Sequence, residues 1–369
     1  MKLRGAVALL VAAILAVLAA SGAEALARVT VRYFSFTTDP GHERDMQALV
    51  EIFQRENPGI RIEVTTAPFD AYFTRLQTLF AAGDPPDVFE LNYENFVTFA
   101  SRGTLLELTP FLAADPSLAG FFYPAALEAF RYRGTQYGLP ITFSTVVLFY
   151  HRDRFGQAGL APPDATWTWQ EVLAAARKLT DPGRRVWGVY QPVQFWEFYK
   201  VARQAGGGLE VAERTALDTP ANRVALHWLV DKIHVHGVMP SDAQLSGMAN
   251  EDLFLAGQLG MLYSGIWMFD RFAQAPFAWD IQVEPGGSRK ATHFFSNAAV
   301  VARGTRHPEA AWRWVRFLAA HPETVKTRIA RAWELPAVSL ARSDLLEPYL
   351  RLAPPANRRA VFASLEHAI

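Results

Sequence analysis

The sequence contains no cysteine in 369 residues. That excludes disulfides, thiol nucleophiles and zinc-thiolate sites, so stability has to come from apolar burial. It also lacks an excess of either charge, with 36 Lys and Arg against 36 Asp and Glu. Binding to nucleic acid needs a basic face, and the balance argues against that partner. Signatures of common enzymes are missing as well. There is no G-x-S-x-G, no P-loop and no G-x-G-x-x-G opening a helix. No internal repeat or low-complexity tract follows the N-terminus.

What is present begins with an export signal. Lys2 and Arg4 precede an unbroken apolar run over residues 6–20. The run is shorter than the roughly 20 residues of a membrane-spanning helix. Small residues follow at Ala23, Ala25 and Ala27, so residues 1–25 read as a secretory signal peptide. With no Cys after the run, a lipid anchor is unavailable, and the mature chain is expected in the periplasm. Roughly 344 residues then remain, which by length suggests two domains. Half of the residues are hydrophobic, enough for two cores.

Residues 29–36 alternate as a strand. Asp39-Pro40-Gly41 turns into a helix with Met46, Leu49, Val50 and Phe53 at i, i+3, i+4, i+7. "IRIEV" (60–64) alternates again, and Asp70 is placed to cap a helix bearing Phe73, Leu76, Leu79 and Phe80. "PDVFEL" (86–91) is a third strand before a helix closed near Gly103. This β-α-β-α-β-α order predicts a parallel α/β sheet with right-handed crossovers, and ligands in such sheets bind at the carboxyl ends of strands. Further on, Thr168 and Glu171 form a capping box, and Thr219-Pro220 opens a long helix. Residues 260–263 and 297–302 read as strands, and Pro308-Glu309 begins a helix.

Several stretches in order, "FQRENPGIRIEV", "LQTLFAAGDPPDVFEL", "YGLPITFSTVVLFYHRDRFGQAGLAPPDATWTWQEV", "GMLYSGIWMF" and "ARGTRHPEAAWRWVRFL", resemble the extracellular solute-binding proteins that feed ABC importers of sugars, the group that includes maltose-binding protein. The resemblance implies a two-lobe periplasmic-binding-protein fold of type II, with the ligand cleft between lobes joined by a multi-crossing hinge. Lobe 1 would take residues 26–141 and 297–334, and lobe 2 residues 142–296 and 335–369. Crossings are expected near residues 140–144, 294–297 and 334–337. In this family the tail runs further than here, so the chain reads as a shortened member or a fragment, with one wall of the site missing. The family function implied is capture of a carbohydrate and its delivery, by lobe closure, to membrane permease subunits. No cofactor or metal is implied, and a monomer is expected.

Sugars offer C–H faces to aromatic rings and hydroxyls to carboxylates and amides. In "GMLYSGIWMF", Ser264-Gly265 would be a turn at the cleft edge. Gly265 would admit a ligand to the backbone and Trp267 would present its ring. The resemblance adds Gln194 and Trp196 from the same lobe. Lobe 1 offers Phe36 and Asp39 after the first strand, and Asn92, Tyr93 and Glu94 after the third. Thr142 and Ser144 fall at the first crossing, and Trp333 at the third. Three other readings compete. Glu94 and Glu197 could serve as a glycosidase pair, though nothing marks them as acid and base. His227, Asp231 and His234 share a helical face at metal-ligand spacing, a pattern more often a solvated face. A glycerol-phosphate ester or other polyol could replace the sugar, which would call for an Arg in the cleft.

Overall fold

The computed structural model describes residues 28–36, 40–118, 120–211, 214–331 and 335–369. The expected signal peptide (1–25), Asp39 and Trp333 lie outside the described residues. The principal elements up to the middle of the chain are β1 (Val29–Ser35), α1 (Pro40–Glu56), β2 (Ile60–Thr66), α2 (Phe69–Ala81), β3 (Val88–Asn92), α3 (Tyr93–Ser101) and β4 (Gly138–His151). Then come α4 (Trp169–Leu179), β5 (Trp187–Tyr190), α5 (Phe195–Gln204), α6 (Pro220–His234) and β6 (Leu259–Gly265). β7 (Trp279–Gln282), β8 (Phe294–Val301), α7 (Pro308–Ala320) and β9 (Leu335–Pro336) follow.

The chain divides into two compact units. Unit 1 comprises the described residues within Met1–Ala119, Leu127–Leu139 and Ala298–Thr324; unit 2 those within Gly120–Ala126, Pro140–Asn297 and Val325–Ile369. β4 and β8 therefore each pass from one unit to the other. The short segment Gly120–Ala126 belongs to unit 2 because its aromatics pack there. Tyr123 lies 5.6 Å from Phe143 and 5.9 Å from Phe294, and Phe122 bridges to Val338.

In unit 1, β1 runs parallel to β2, from Val29 opposite Ile60 to Ser35 opposite Thr66, and parallel to β3 on its other side. β8 continues the sheet beyond β3. Val31 and Tyr33 point to one face and Phe34 to the other, and all three are buried: Tyr33 meets Trp314 and Phe34 stacks on Tyr72, so the strand is covered on both faces, with only Arg32 exposed near its start. The inner face of α1 carries Met46, Leu49, Val50 and Phe53, all buried. Phe53 stands edge-on to Trp314 of α7 at 5.0 Å and Tyr33 of β1 meets the same indole at 5.6 Å, which ties that helix to α1 and to the sheet. Asp70 does not cap α2: the cap position is Pro68, with no side-chain cap bond, and Asp70 falls in the first turn. There its charge still suits the helix dipole.

In unit 2, β4 is buried along its whole length. It pairs antiparallel with β6 (Gly265 opposite Val146), with β7 (Ile281 opposite Phe149) and with β9 (Leu335 opposite Phe143). β5 lies parallel on the far side of β6. Helix α4 opens with the expected Thr168–Glu171 capping box and packs Val172, Ala175, Ala176 and Leu179 into the core beside β5. Thr219 caps α6, its hydroxyl accepting from the Asn222 N–H at 3.1 Å.

Candidate functional site

Unit 2 gathers an aromatic group around the end of β6, the start of α5 and the start of β8. β6 ends at Gly265 and the chain turns at once into a single 3-10 turn, Ile266–Met268. Ile266 buries its side chain, whereas Trp267 stays 37% exposed. The indole lies over Gly265: a Cβ built on that glycine would meet Cζ3 at 1.9 Å. The glycine that closes the strand thus makes room for the ring two residues later. This is a different reason for Gly265 than admission of a ligand to the backbone.

Trp196 lies in the first turn of α5 and is also 37% exposed. Its indole N–H donates to the Gln194 side-chain carbonyl, and its backbone carbonyl is 2.9 Å from His293 Nε2. Both ends of the residue are therefore held. His293 stacks on Phe295 at 5.2 Å and 29°. Phe295 lies 6.4 Å from Trp196 and 5.7 Å from Trp267, steeply inclined to both. Burial, with Lys200 nearby as a second cause, pushes the His293 imidazole down to about 3. A carbonyl oxygen can only accept, so it is Nε2 that carries a proton and donates to the Trp196 carbonyl. Neither His293 nor Phe295 was singled out from the sequence. The signal was the i, i+2 spacing of His293, Phe295 and Asn297, which puts three side chains on one face of a strand.

Glu197, the neighbour of Trp196, is fully buried and points the other way. Lys200 Nζ lies 2.7 Å from its carboxylate and 2.6 Å from that of Glu284. The Gln191 amide donates to Glu197 at 2.6 Å, and Gln204 donates to Glu284 at 2.9 Å. Lys232, also buried, donates to Gln191 at 3.0 Å. Burial raises the Glu284 carboxyl to about 7 and holds Lys232 well below the usual lysine range. This is an internal ion network, and it removes Glu197 from the carboxylate pair that a glycosidase would need. Thr142 and Ser144 are likewise enclosed. The Thr142 hydroxyl accepts from Asn297 Nδ2 at 3.2 Å, and Ser144 is wholly buried in β4.

Unit 1 holds its candidates at the carboxyl ends of β1 and β3. Phe36 is half-buried, with Phe69 at 5.5 Å and Tyr72 at 5.2 Å, both edge-on. The Asn92 side-chain Oδ1 caps α3, accepting from the Asn95 backbone N–H at 3.3 Å and the Asn95 side-chain amide at 2.8 Å. Tyr93 is exposed. Glu94 is exposed too, yet partial desolvation raises its carboxyl above the ordinary range, opposed by its own backbone N–H. Two aromatics and a carboxylate at strand ends offer the donor and stacking chemistry that a polyhydroxylated ligand uses. His227 and Asp231 of α6 form an exposed pair at 3.3 Å, and no cluster fit for a metal occurs among the described residues.

Comparison with known proteins agrees with this geometry. A solved ABC substrate-binding protein from Listeria monocytogenes, in complex with cycloalternan, is 44% identical, with a TM-score of 0.88 over 93% of this chain and 88% of that one. The cyclic alpha-maltosyl-1,6-maltose binding protein of Arthrobacter globiformis shares the fold at 23% identity and a TM-score of 0.72, over 92% and 88% of the two chains. The maltotriose-binding protein of Pyrococcus abyssi is 22% identical over 83% of this chain and 66% of its own length. The model of the bacterial extracellular solute-binding protein family matches residues 39–324. With the two α/β units, the aromatic surface and this match across most of its length, the chain belongs to the bacterial extracellular solute-binding protein family.

Proposed function

We propose that this protein is the substrate-binding component of an ABC importer, and that it captures a carbohydrate outside the inner membrane and hands it to the permease subunits. The observation that carries the reading is Trp267, a partly exposed indole backed on one side by Gly265. A ring fixed in this way loses little entropy on stacking against a sugar. The 44% identical Listeria relative bound to cycloalternan supports a carbohydrate rather than a phosphate ester.

One stack does not suffice. A dissociation constant of ~1 μM needs about 8 kcal/mol, whereas an aromatic pair contributes ~0.5–1.5 kcal/mol beyond burial. Polar partners are therefore required, and Gln194, Asn92, Tyr93 and Glu94 are the proposed ones. Ligand binding would favour the closed state of the lobes by the extra contacts made only there. The protein turns nothing over; the locking of Glu197 by Lys200 supports this, since it withdraws Glu197 from a glycosidase-like pair with Glu94. Export by the signal peptide at residues 1–25 would place the mature monomer in the periplasm. Among the described residues no helix is long and apolar enough to cross a membrane.

The test is a thermal-shift and calorimetric screen of sugars, polyols and glycerol-phosphate esters. A ligand at 100 times its dissociation constant adds ~2.7 kcal/mol of stability. A sugar series that raises the melting temperature in the wild type and fails to do so in Trp267→Ala supports the reading. A response confined to phosphate esters refutes it.

A further inference from the structure

Two stacked indoles close a ring of polar side chains inside unit 2. Trp169 of α4 and Trp228 of α6 lie face to face, with centroids 4.8 Å apart and planes 2° from parallel. Each indole N–H donates to a glutamine at 3.0 Å, Trp169 to Gln204 and Trp228 to Gln191. Each glutamine amide then donates to one carboxylate oxygen, Gln204 to Glu284 Oε1 and Gln191 to Glu197 Oε1. Lys200 Nζ sits between those same two oxygens. The ring therefore joins α4, α5, α6 and the segment after β7. It includes the first turn of α5, which carries Trp196.

Charge inside this ring does not balance. Glu197, Lys200 and Glu284 are all fully enclosed, so two acids face one ammonium. Lys232 of α6 is buried as well, but its Nζ donates only to the Gln191 side-chain carbonyl and the Trp228 backbone carbonyl. Burial favours its neutral form. Burial also keeps His293, before β8, and the Tyr263 phenol of β6 in their neutral forms. Lys290 is half-buried, bonds the Trp167 carbonyl at 3.4 Å and forms no ion pair with either acid among the described residues. A surplus carboxylate enclosed in this way is costly.

The second oxygen of Glu284 shows how the surplus is removed. Oε2 lies 3.5 Å from the Thr292 hydroxyl. Thr292 has one hydroxyl proton, which goes to the Val146 carbonyl at 2.8 Å, a group that can only accept. Toward Glu284 the hydroxyl therefore presents a lone pair. A bare carboxylate oxygen would meet it lone pair to lone pair, whereas a protonated Oε2 donates to it. Glu197 Oε2, by contrast, meets no partner among the described residues. Burial, opposed by Lys200, raises the Glu284 carboxyl to about 7, in agreement with a proton held there.

We infer that Glu284 carries a proton on Oε2 in the folded protein and that this proton is a latch: it balances the ring that holds the first turn of α5, and its loss as the pH rises loosens that turn. The inference stands apart from the identity of the ligand.

The first measurement is an infrared pH-difference spectrum of the folded mature protein between pH 5.5 and 8.5. A protonated carboxyl has a C=O stretch that a carboxylate lacks. That band should disappear through neutral pH in the wild type and be missing from the difference spectrum of Glu284→Gln. In the variant the introduced amide oxygen still accepts from Lys200 and Gln204, and its NH2 takes the place of the acid O–H, so the ring stays closed. A raised carboxyl favours folding below its ordinary value of 4.5, and that contribution is lost as the pH rises to about 7. In urea titrations the ratio of folding constants, variant over wild type, should therefore rise roughly tenfold or more between pH 5 and 7.5. The near-UV circular dichroism of the stacked indoles should follow the carboxyl band in the wild type and stay level in the variant. A wild type that loses no carboxyl band through neutral pH overturns the inference without any variant. So does a folding-constant ratio that does not change with pH. So does an indole signal that stays level while the carboxyl titrates, because the ring then does not respond to the proton.

Discussion

The Trp267 indole rests on the α-carbon of Gly265, so close that a methyl group there would meet three ring carbons at 1.9–2.1 Å. The backbone of Gly265 is ordinary, with φ of −89°, and any residue could adopt it. Only the ring excludes a side chain. Gly265→Ala should therefore swing Trp267 out of place. A partly exposed ring can rotate, so the stability cost should be modest, ~1–2 kcal/mol. Affinity for the sugar should fall about tenfold or more. Calorimetry and a melting curve on the same sample separate the two effects. Unchanged affinity would mean that the ring is not a ligand surface.

Lys200 is the second case of a residue whose neighbours fix the outcome. It is wholly buried between the carboxylates of Glu197 and Glu284. Lys200→Met removes the cation and leaves two acids enclosed without it. Breaking a buried pair in this way costs ~3–5 kcal/mol. Urea unfolding should show the loss. Exposed Arg223, paired with Asp218, is the control, and Arg223→Met should cost no more than about 1 kcal/mol. Equal costs at the two sites would refute the network as a buried one.

Close approach of backbone to backbone gives a third prediction. Gly188 of β5 faces α4, and a Cβ there would lie 2.1 Å from the Ala176 carbonyl oxygen and 2.4 Å from its α-carbon. Neither is the end of a flexible side chain. The helix itself would have to move, and Val172, Ala176 and Leu179 with it. Gly188→Ala should cost ~2–3 kcal/mol or more, whereas Gly59→Ala, with nothing within 4 Å, should stay within ~0.5 kcal/mol. Denaturant midpoints of the two variants check this.

The sequence makes the elements of unit 1 legible because each carries its own signal. Met46, Leu49, Val50 and Phe53 recur at helical spacing, and all four are buried on α1. The capping box at Thr168 needs only two residues three apart, and it forms as read. Asp70 reads as a cap but lies in the first turn, because an acid near a helix start suits the dipole as well as the cap position. Trp196 and Trp267 were legible as large aromatics beside turn residues. The place of Phe295 between them is not legible, since it depends on rings brought in from 99 and 28 residues away. Glu197 failed the same way. Lys200 stands three residues on in the chain, but burial of the pair depends on Glu284, which only the tertiary fold supplies.

His293 joins the aromatic group of unit 2 to the pH dependence of stability. Its ring is enclosed, with Lys200 and Tyr199 nearby, and it is held down to about 3 against an ordinary value near 6.5. The folded state therefore keeps it neutral while the unfolded chain takes up a proton. Its contribution is fully present above pH 6.5 and is lost as the pH falls toward 3. By pH 5 the loss relative to high pH is about 2 kcal/mol. His151, held to about 4, acts with the same sign, and Glu284, raised to about 7, acts with the opposite sign between 4.5 and 7. The measurable quantity is thus a difference between two proteins. His293→Asn should be less stable than the wild type at pH 7.5, having lost the stacking on Phe295, and should close part of that gap by pH 5. Melting temperatures of both proteins across this range give the comparison. A gap that stays constant with pH would show that His293 does not titrate in this way.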